Sequence, residues 1–350
     1  MSTMQAKAAR NHFSIAAVAT MLALGMMQAD CGAAFAASAD APVKLTFQLN
    51  YPAAGYNAGY ELAVVKGFYK DVGLDITIEP GNGSQITAQL IAAGKADIGF
   101  ADAAPVMKLI SSGAKMKVLA TILQGNPNQV TALKKTGLKS VADLKGRSVA
   151  LPNGGSQVAM FPLVLAANNL KESDIKIVNM PPDSMIPSLM QGTVEVILGS
   201  VDAFGIQLKS MGVETDNFLF IDSGAPTVST SIVASDAFLA AHPDLAKAFV
   251  AASLKGWYAA IDDQAAAVAA LKKIFPDANE KLAPGQIDAT IFLMCVNRAK
   301  FVGKATPDQW TDTVKIFSQI GILPADVPAT AYYTYDYLPS EAALRPCPLK

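Results

Sequence analysis

Polar and aromatic residues recur in this chain directly after short apolar runs, at the places where a strand would end and a helix begin. Early in the chain these are Asn50, Tyr51, Tyr56, Asn57, Gly83, Ser84, Ala101 and Asp102; later they are Gly154, Gly155, Ser156, Gln157, Ser200 and Asp202. Helix starts present unpaired N–H groups and a partial positive charge. Hydroxyls, amides and carboxylates placed there can match the polar edge of a small molecule, and a tyrosine ring with its polar handle suits the wall of a wet cleft. The chemistry on offer is recognition by hydrogen bonding. The candidate ligand-binding set is Tyr51, Tyr56, Asn57, Ser84, Asp102, Gly155, Ser156, Gln157, Ser200 and Asp202. Each has a plainer role as well. Ser84 and Ser156 read as helix caps, Gly154-Gly155 as a turn, and the tyrosines as surface packing. Asp102 reads as a cap, or as the acceptor of an N–H or amine from a ligand.

Bond-making chemistry lacks its usual residues. The chain has two histidines, His12 and His242. His242 lies in Ala241-His242-Pro243-Asp244, the signature of an exposed helix start. A Cys/His zinc cluster or a Ser-His-Asp triad finds no partners here. There is no Gly-x-Gly-x-x-Gly and no phosphate loop. No catalytic residue, metal site or cofactor is expected. Beyond residue 39 the arginines are Arg147, Arg298 and Arg345, none of them after a strand in the candidate set. A multiply charged anion normally meets an arginine fork. The expected ligand is therefore small, neutral or nitrogen-bearing and planar, with an organic monoanion such as a sulfonate or aromatic carboxylate second.

The elements that must position these residues follow from the hydrophobic pattern. Residues 43–49 alternate as a first strand, and a loop leads to a helix over 57–66. In 74–79, Leu74, Ile76 and Ile78 face one way and Asp75, Thr77 and Glu79 the other, which is a strand. A helix over 85–93, a short buried strand at 98–100 and a helix from about 102–104 follow. The rhythm restarts with strands at 148–151, 175–178 and 194–198 and helices to 168, over 184–190 and over 203–211. Strands at 218–221 and 227–234 precede a mainly helical remainder, with a long Ala-rich helix over 245–261. This order implies an α/β architecture with mostly parallel sheets. An echo supports two similar lobes. Ile91-Ala92-Ala93-Gly94-Lys95-Ala96-Asp97-Ile98 matches Leu189-Met190-Gln191-Gly192-Thr193-Val194-Glu195-Val196 as helix end, left-handed glycine, then an acidic residue entering a buried strand.

The first residues read as an address. Lys7, Arg10 and His12 precede an apolar run over 15–27, and Ala37-Ser38-Ala39 ends a small-residue stretch. That is a secretory signal peptide, with cleavage expected near Ala39 and Ala36 as the second choice. The run is shorter than the roughly 20 residues that span a bilayer. Cys31 does not read as a lipid attachment site, because Asp30 stands where a small residue belongs. Loss of residues 1–39 leaves 26 basic and 28 acidic residues, a net charge of −2, with no basic surplus to hold nucleic acid. Cys295 and Cys347 would form one disulfide or stay as two inert thiols. Tyr332, Tyr333, Tyr335 and Tyr337 read as a C-terminal segment packing on the first lobe.

Four segments carry a resemblance. Lys66-Gly67-Phe68-Tyr69-Lys70-Asp71-Val72-Gly73-Leu74-Asp75, Ala92-Ala93-Gly94-Lys95-Ala96-Asp97-Ile98-Gly99, Val141-Ala142-Asp143-Leu144-Lys145-Gly146-Arg147-Ser148-Val149-Ala150 and Asn153-Gly154-Gly155-Ser156 resemble, in order and spacing, the periplasmic binding proteins for nitrate, taurine, sulfonates and thiamin-pyrimidine precursors. The resemblance implies a type II periplasmic binding fold. Lobe 1 would comprise residues 40–130 and 235–345, lobe 2 residues 131–234, and the tail residues 346–350, with the hinge near 129–133 and 228–233. It also implies a periplasmic, monomeric solute-binding protein that closes like a Venus flytrap and delivers its ligand to an ABC permease. Asn57 stands where the pyrimidine-precursor binders carry a histidine, and Tyr51 near their tryptophan. The alternatives are a ligand-sensing receptor subunit and a pyrimidine-synthase-like enzyme. Such enzymes carry a cysteine-rich iron motif and histidines that this chain lacks.

Overall fold

The computed structural model describes residues 41–348; the expected signal peptide lies outside them. In chain order the strands are β1 Val43–Gln48, β2 Leu74–Glu79, β3 Ile98–Asp102, β4 Met116–Thr121, β5 Asn128–Leu133, β6 Ser148–Pro152, β7 Lys176–Met180, β8 Val196–Ser200, β9 Thr215–Leu219 and β10 Thr230–Ser235. The helices are α1 Ala58–Val65, α2 Ser84–Ala92, α3 Ala103–Ser111, α4 Gln157–Ala167, α5 Pro182–Gln191, α6 Ile206–Ser210, α7 Asp236–Ala241, α8 Pro243–Asp262, α9 Gln264–Ile274, α10 Ala283–Met294 and α11 Pro307–Gln319. A π-helical turn, Val201–Gly205, leads into α6.

Two five-stranded sheets result, ordered β2-β1-β3-β10-β4 and β7-β6-β8-β5-β9. They share one plan. In the first, β1 runs parallel to β2 and β3, and β10 is antiparallel to β3 and β4. In the second, β6 runs parallel to β7 and β8, and β5 is antiparallel to β8 and β9. Each antiparallel strand is the one that arrives from the other lobe, so each lobe is completed by a strand the chain delivers after crossing over. The crossings are residues 122–127 and 220–229, and they hold each other: Ser229 N–H donates to the Leu123 carbonyl at 3.0 Å, and Leu123 N–H to the Thr230 carbonyl at 3.0 Å.

This pairing corrects the expected boundaries. A cut at 130/131 falls inside β5, whose residues 128–133 all pair within the second sheet. A cut at 234/235 puts β10 in the wrong lobe, since its residues 230–235 pair with β3 and β4. Both strands are buried on both faces, with Asn128, Gln129, Thr131, Thr230 and Ser231 inside alongside the apolar residues, so alternation gives no mark of where a crossing ends. β4 was hidden for the same reason.

The repeated motif has a structural purpose in both lobes. Gly94 (φ 63°) and Gly192 (φ 76°) adopt the left-handed conformation after α2 and α5. Each acidic residue that follows then ties the incoming strand to its parallel partner, β1 in the first lobe and β6 in the second. The Asp97 carboxylate accepts from Thr46 N–H at 2.7 Å, and that of Glu195 from Ser148 N–H at 3.0 Å and Arg147 at 2.7 Å.

Packing follows the pattern of large apolar side chains. In the first lobe the Tyr60 ring meets Phe47, Phe100 and Trp257 at 4.7, 5.2 and 5.6 Å in edge-on geometries. The C-terminal tyrosines pack as the sequence implies. Tyr332 is buried, with its hydroxyl 3.0 Å from that of Ser111, and Tyr333 stacks on Trp310 at 4.8 Å. Cys295, at the end of α10, is bonded to Cys347 in the returning tail. His242 precedes α8, with Pro243 at the first helical position and its ring against Phe238. Among the described residues no helix is long and apolar enough to cross a membrane, and no group of His, Cys, Asp and Glu is placed to hold a metal ion.

Candidate functional site

A cavity opens between the two sheets, at the edge where the carboxyl ends of β1, β3, β6 and β8 meet the amino ends of β5 and β10. It holds about 50 Å3 of water-accessible space. Six of the ten candidate residues line it: Tyr51, Tyr56, Ser156, Gln157, Ser200 and Asp202. Asn50, named with the wider set, lines it too. The first lobe supplies Asn50 and the two tyrosines from the loop after β1. The second supplies Ser156 and Gln157 at the start of α4, and Ser200 and Asp202 where β8 passes into the π-helical turn. Outside this cavity the cleft continues into a wider space of about 780 Å3 that shares Tyr51, Tyr56, Ala203 and Phe204 and adds Ile186, Met190, Met211 and Gln286.

Four candidates lie elsewhere, each for a local reason. Asn57 is fully buried in the first lobe, and both polar atoms of its amide lack partners. Ser84 is the first residue of α2 rather than its cap. Gly83 takes the cap position, and Ser84 Oγ accepts from Asn50 Nδ2 at 3.3 Å, one layer behind the cavity. Gly155 sits beside the cavity, where a Cβ would lie 2.5 Å from Gln157 Oε1. Asp102 is 2 % exposed and spends both oxygens internally, accepting from Ala104 N–H at 2.8 Å as the cap of α3 and from the Ser229 hydroxyl at 2.5 Å. It holds the crossing near β10 and has no oxygen turned to a ligand.

The residues that sequence reasoning missed share one cause. Asn128 and Thr230 both line the cavity and are the first residues of β5 and β10. Reading residues after each strand finds the carboxyl ends of parallel strands. These two strands run antiparallel to their neighbours, so their amino ends reach the same edge, with Asn128 opposite Ser200 and Thr230 opposite Asp102. Asn128 organises the floor: its Oδ1 accepts from Gln157 Nε2 at 2.7 Å, and its Nδ2 donates to Ser156 Oγ at 3.0 Å. Phe100, Leu123, Pro127 and Phe204 add apolar wall that carried no polar signal in the sequence.

The electrostatics are one-sided. Burial pushes the Tyr51 phenol up to about 12, with the Asp202 carboxylate the second cause. Burial, then Asp202, Tyr51 and Glu61, raise Tyr56 further, so both phenols are neutral donors at pH 7. Tyr56 donates to the Pro52 carbonyl at 3.0 Å. Burial raises Asp202 above the usual carboxylate range, while the Ser200 hydroxyl and the main-chain N–H groups of Asp202 and Ala203 pull it back. Among the described residues, no lysine, arginine or histidine lines the cavity. Arg147, Arg298 and Arg345 are paired with Glu195, Asp312 and Asp262 at 2.7, 2.5 and 2.7 Å.

Asp102 provides a pH test of this assignment. Burial raises it to about 6 from 3.8, against the opposing pull of its bonds to Ser229 and Ala104. A carboxyl that holds its proton more tightly when folded contributes stability that grows as pH falls through 6 and is fully present below 3.8. The stability difference between wild type and Asp102→Asn should therefore shrink by about 2 kcal/mol between pH 4 and pH 7. Urea midpoints of both proteins across that range measure it; a constant difference would show that Asp102 ionises there without resistance.

The comparisons with known proteins agree with this architecture. A Haemophilus influenzae protein named for thiamine biosynthesis is 26% identical over 49% of this chain, which spans 54% of that protein's length. The riboflavin-binding protein RibY of Chloroflexus aurantiacus is 24% identical over 81% of this chain and 82% of its own. Relatives also include 4-amino-5-hydroxymethyl-2-methylpyrimidine phosphate synthases, so the kinship spans binding proteins and enzymes. Among solved structures, the alkanesulfonate-binding protein SsuA of Xanthomonas axonopodis superposes with a TM-score of 0.65 at 17% identity, covering 84% of this chain and 99% of its own. The fold is that of the periplasmic binding proteins. The model of the family described as NMT1/THI5 like matches residues 55–267, more than half of the chain, and the chain belongs to that family.

Proposed function

We propose that this protein is an exported solute-binding protein that captures a small organic molecule between its lobes and delivers it to an ABC permease. The observation that carries the reading is the cavity at the crossing edge, where both lobes contribute polar groups and two short crossings join them. A ligand bridging Tyr51 and Tyr56 on one side and Asn128, Gln157 and Asp202 on the other stabilises the closed form over the open one, and a permease can read that difference. The protein acts as a monomer in the periplasm, without a cofactor. Binding is favoured over catalysis because the lining groups are amides, hydroxyls, phenols and one carboxylate, with no histidine or cysteine to carry a proton or a covalent intermediate.

The ligand is planar and neutral or nitrogen-bearing, with an organic monoanion second. The tyrosines supply flat walls and the amides match ring nitrogens and carbonyls. Riboflavin, the ligand in the name of the Chloroflexus relative, is of this chemical kind. An alkanesulfonate, named for the Xanthomonas structure, carries a full negative charge that no cationic lining residue here would meet.

Thermal unfolding of residues 40–350 tests the reading against nitrate, alkyl sulfonates, aromatic carboxylates, aminopyrimidines, flavins and purines. The protein is first unfolded and refolded to strip carried-over ligand. A true ligand at 100 times its dissociation constant adds about 2.7 kcal/mol of stability and raises the midpoint. Flat curves across every class would overturn the receptor reading.

A further inference from the structure

We propose that the head group bound in the inner cavity is a compact organic cation, an ammonium or amidinium, held by the Asp202 carboxylate between the rings of Tyr51 and Tyr56. The inference rests on the solute-binding reading and names the charge of its ligand.

Three observations carry it. First, Asp202 is 5 % exposed, lines the cavity and takes part in none of the ion pairs among the described residues. A buried carboxylate without a counter-charge is costly, and a cationic ligand supplies that charge. Asp102 is the internal contrast: equally buried, it lies off the cavity lining and spends its oxygens on Ala104 and Ser229 of the fold, whereas Asp202, held by Ser200 and the main-chain N–H groups of its own turn, lines the cavity. Second, the groups around Asp202 suit a cation. Tyr51 and Tyr56 line the same cavity from the other lobe, near enough for Asp202 to act on both phenols, and Phe204 follows it in the same turn. The face of an aromatic ring carries negative potential and attracts an ammonium or guanidinium-like group within about 6 Å of its centroid. Third, this arrangement discriminates. With one carboxylate and no cationic side chain on the lining, an anionic head group meets repulsion and a neutral one leaves Asp202 uncompensated. The wider outer space, with Ile186, Met190 and Met211 on its walls, leaves room for an apolar remainder of the solute.

The test uses two ring frames, each in three charge states: benzamidine, benzamide and benzoate, and cyclohexylamine, cyclohexanol and cyclohexanecarboxylate. Calorimetry and thermal unfolding are run on wild type and Asp202→Asn after refolding to remove bound ligand. In at least one frame the cation should bind the wild type about tenfold or more tightly than its neutral partner. Asp202→Asn should weaken the cation by about 10- to 100-fold, the worth of a charge-assisted hydrogen bond, while changing the neutral compound little. Tighter binding of the neutral or anionic member, or a cation indifferent to Asp202→Asn, overturns the charge assignment and leaves the solute-binding reading standing. No binding by any of the six, together with flat curves across the wider solute panel, overturns both. Tyr51→Leu keeps the test decisive if Asp202→Asn fails to fold, because it removes a ring without touching a buried charge; a cation bound equally well by that variant counts against the proposal.

Discussion

Gly83→Ala should lower the affinity of every cleft ligand by about ten- to a hundredfold while both lobes remain folded. At the mouth of the cleft the lobes are joined by a backbone hydrogen bond. Gln85 N–H, from the first turn of α2, donates to the Gly154 carbonyl in the other lobe at 3.1 Å. A Cβ on Gly83 would lie 2.3 Å from that carbonyl oxygen and 2.6 Å from its carbon. Backbone cannot swing aside as a long side chain can, so the added methyl must push the lobes apart, breaking the bond and admitting water beside the ligand. Gly83 also has φ 117°, and alanine there strains the first lobe whether the cleft is open or shut. The clash alone acts on the closed form, so affinity separates the two effects. Gly154→Ala is the milder companion, since its Cβ would first meet the movable Ile86 side chain at 3.0 Å. Titration calorimetry gives the affinities, and small-angle scattering shows whether the liganded variant keeps an open radius. Wild-type affinity in Gly83→Ala would mean that closure does not use this contact.

Opening the Cys295–Cys347 bridge, by reductant or by Cys347→Ser, should cost about 2–4 kcal/mol of stability and lower the midpoint by several degrees. The bridge joins residues 52 apart, with a Cα separation of 5.4 Å. It closes a long loop that includes α11 and the tyrosine-rich tail, and such a loop gains much freedom in the unfolded chain when the link is cut. In the folded state the bridge lies beside other ties between the tail and the first lobe. Cys347 N–H donates to the Lys300 carbonyl at 2.9 Å, Val302 N–H to that of Arg345 at 2.9 Å, and Arg345 pairs with Asp262. Just before Cys295, the Leu293 carbonyl accepts from Gln124 and Gly125 N–H at 3.0 and 3.2 Å, so the anchored end of α10 also steadies the crossing at 122–127. Denaturation with and without reductant measures the effect. Identical midpoints would show that these other contacts hold the tail unaided.

The sequence by itself determined the α/β class, the duplicated plan and most of the polar side chains that line the cavity. Alternation marked β2, which the structure pairs with β1 at the edge of the first sheet. The echo at Gly94 and Gly192 identified two equivalent helix-to-strand corners because left-handed backbone and a strand-tying carboxylate each demand a narrow choice of residue. Local rules also placed Tyr51, Tyr56, Ser156, Gln157, Ser200 and Asp202, since polar residues following buried strands come to the same sheet edge wherever the strands are parallel.

Only the tertiary structure decided the rest. Which lobe received β5 and β10 depended on pairing between residues far apart in the chain, and two fully buried strands carry no alternation that records their partners. That pairing brought Asn128 and Thr230 to the cavity and decided the roles of the two buried aspartates. Both stand where a strand passes into a helical turn, Asp102 as the last residue of β3 and Asp202 just after β8. Asp102 found Ser229 of the crossing segment and Ala104 of its own helix within reach, so its charge is spent on the fold. Asp202 is held by Ser200 and the main-chain N–H groups of its own turn, and lines the cavity together with two phenols of the other lobe. Local sequence is nearly the same for both; the long-range neighbour that satisfies a buried carboxylate is a property of the assembled fold.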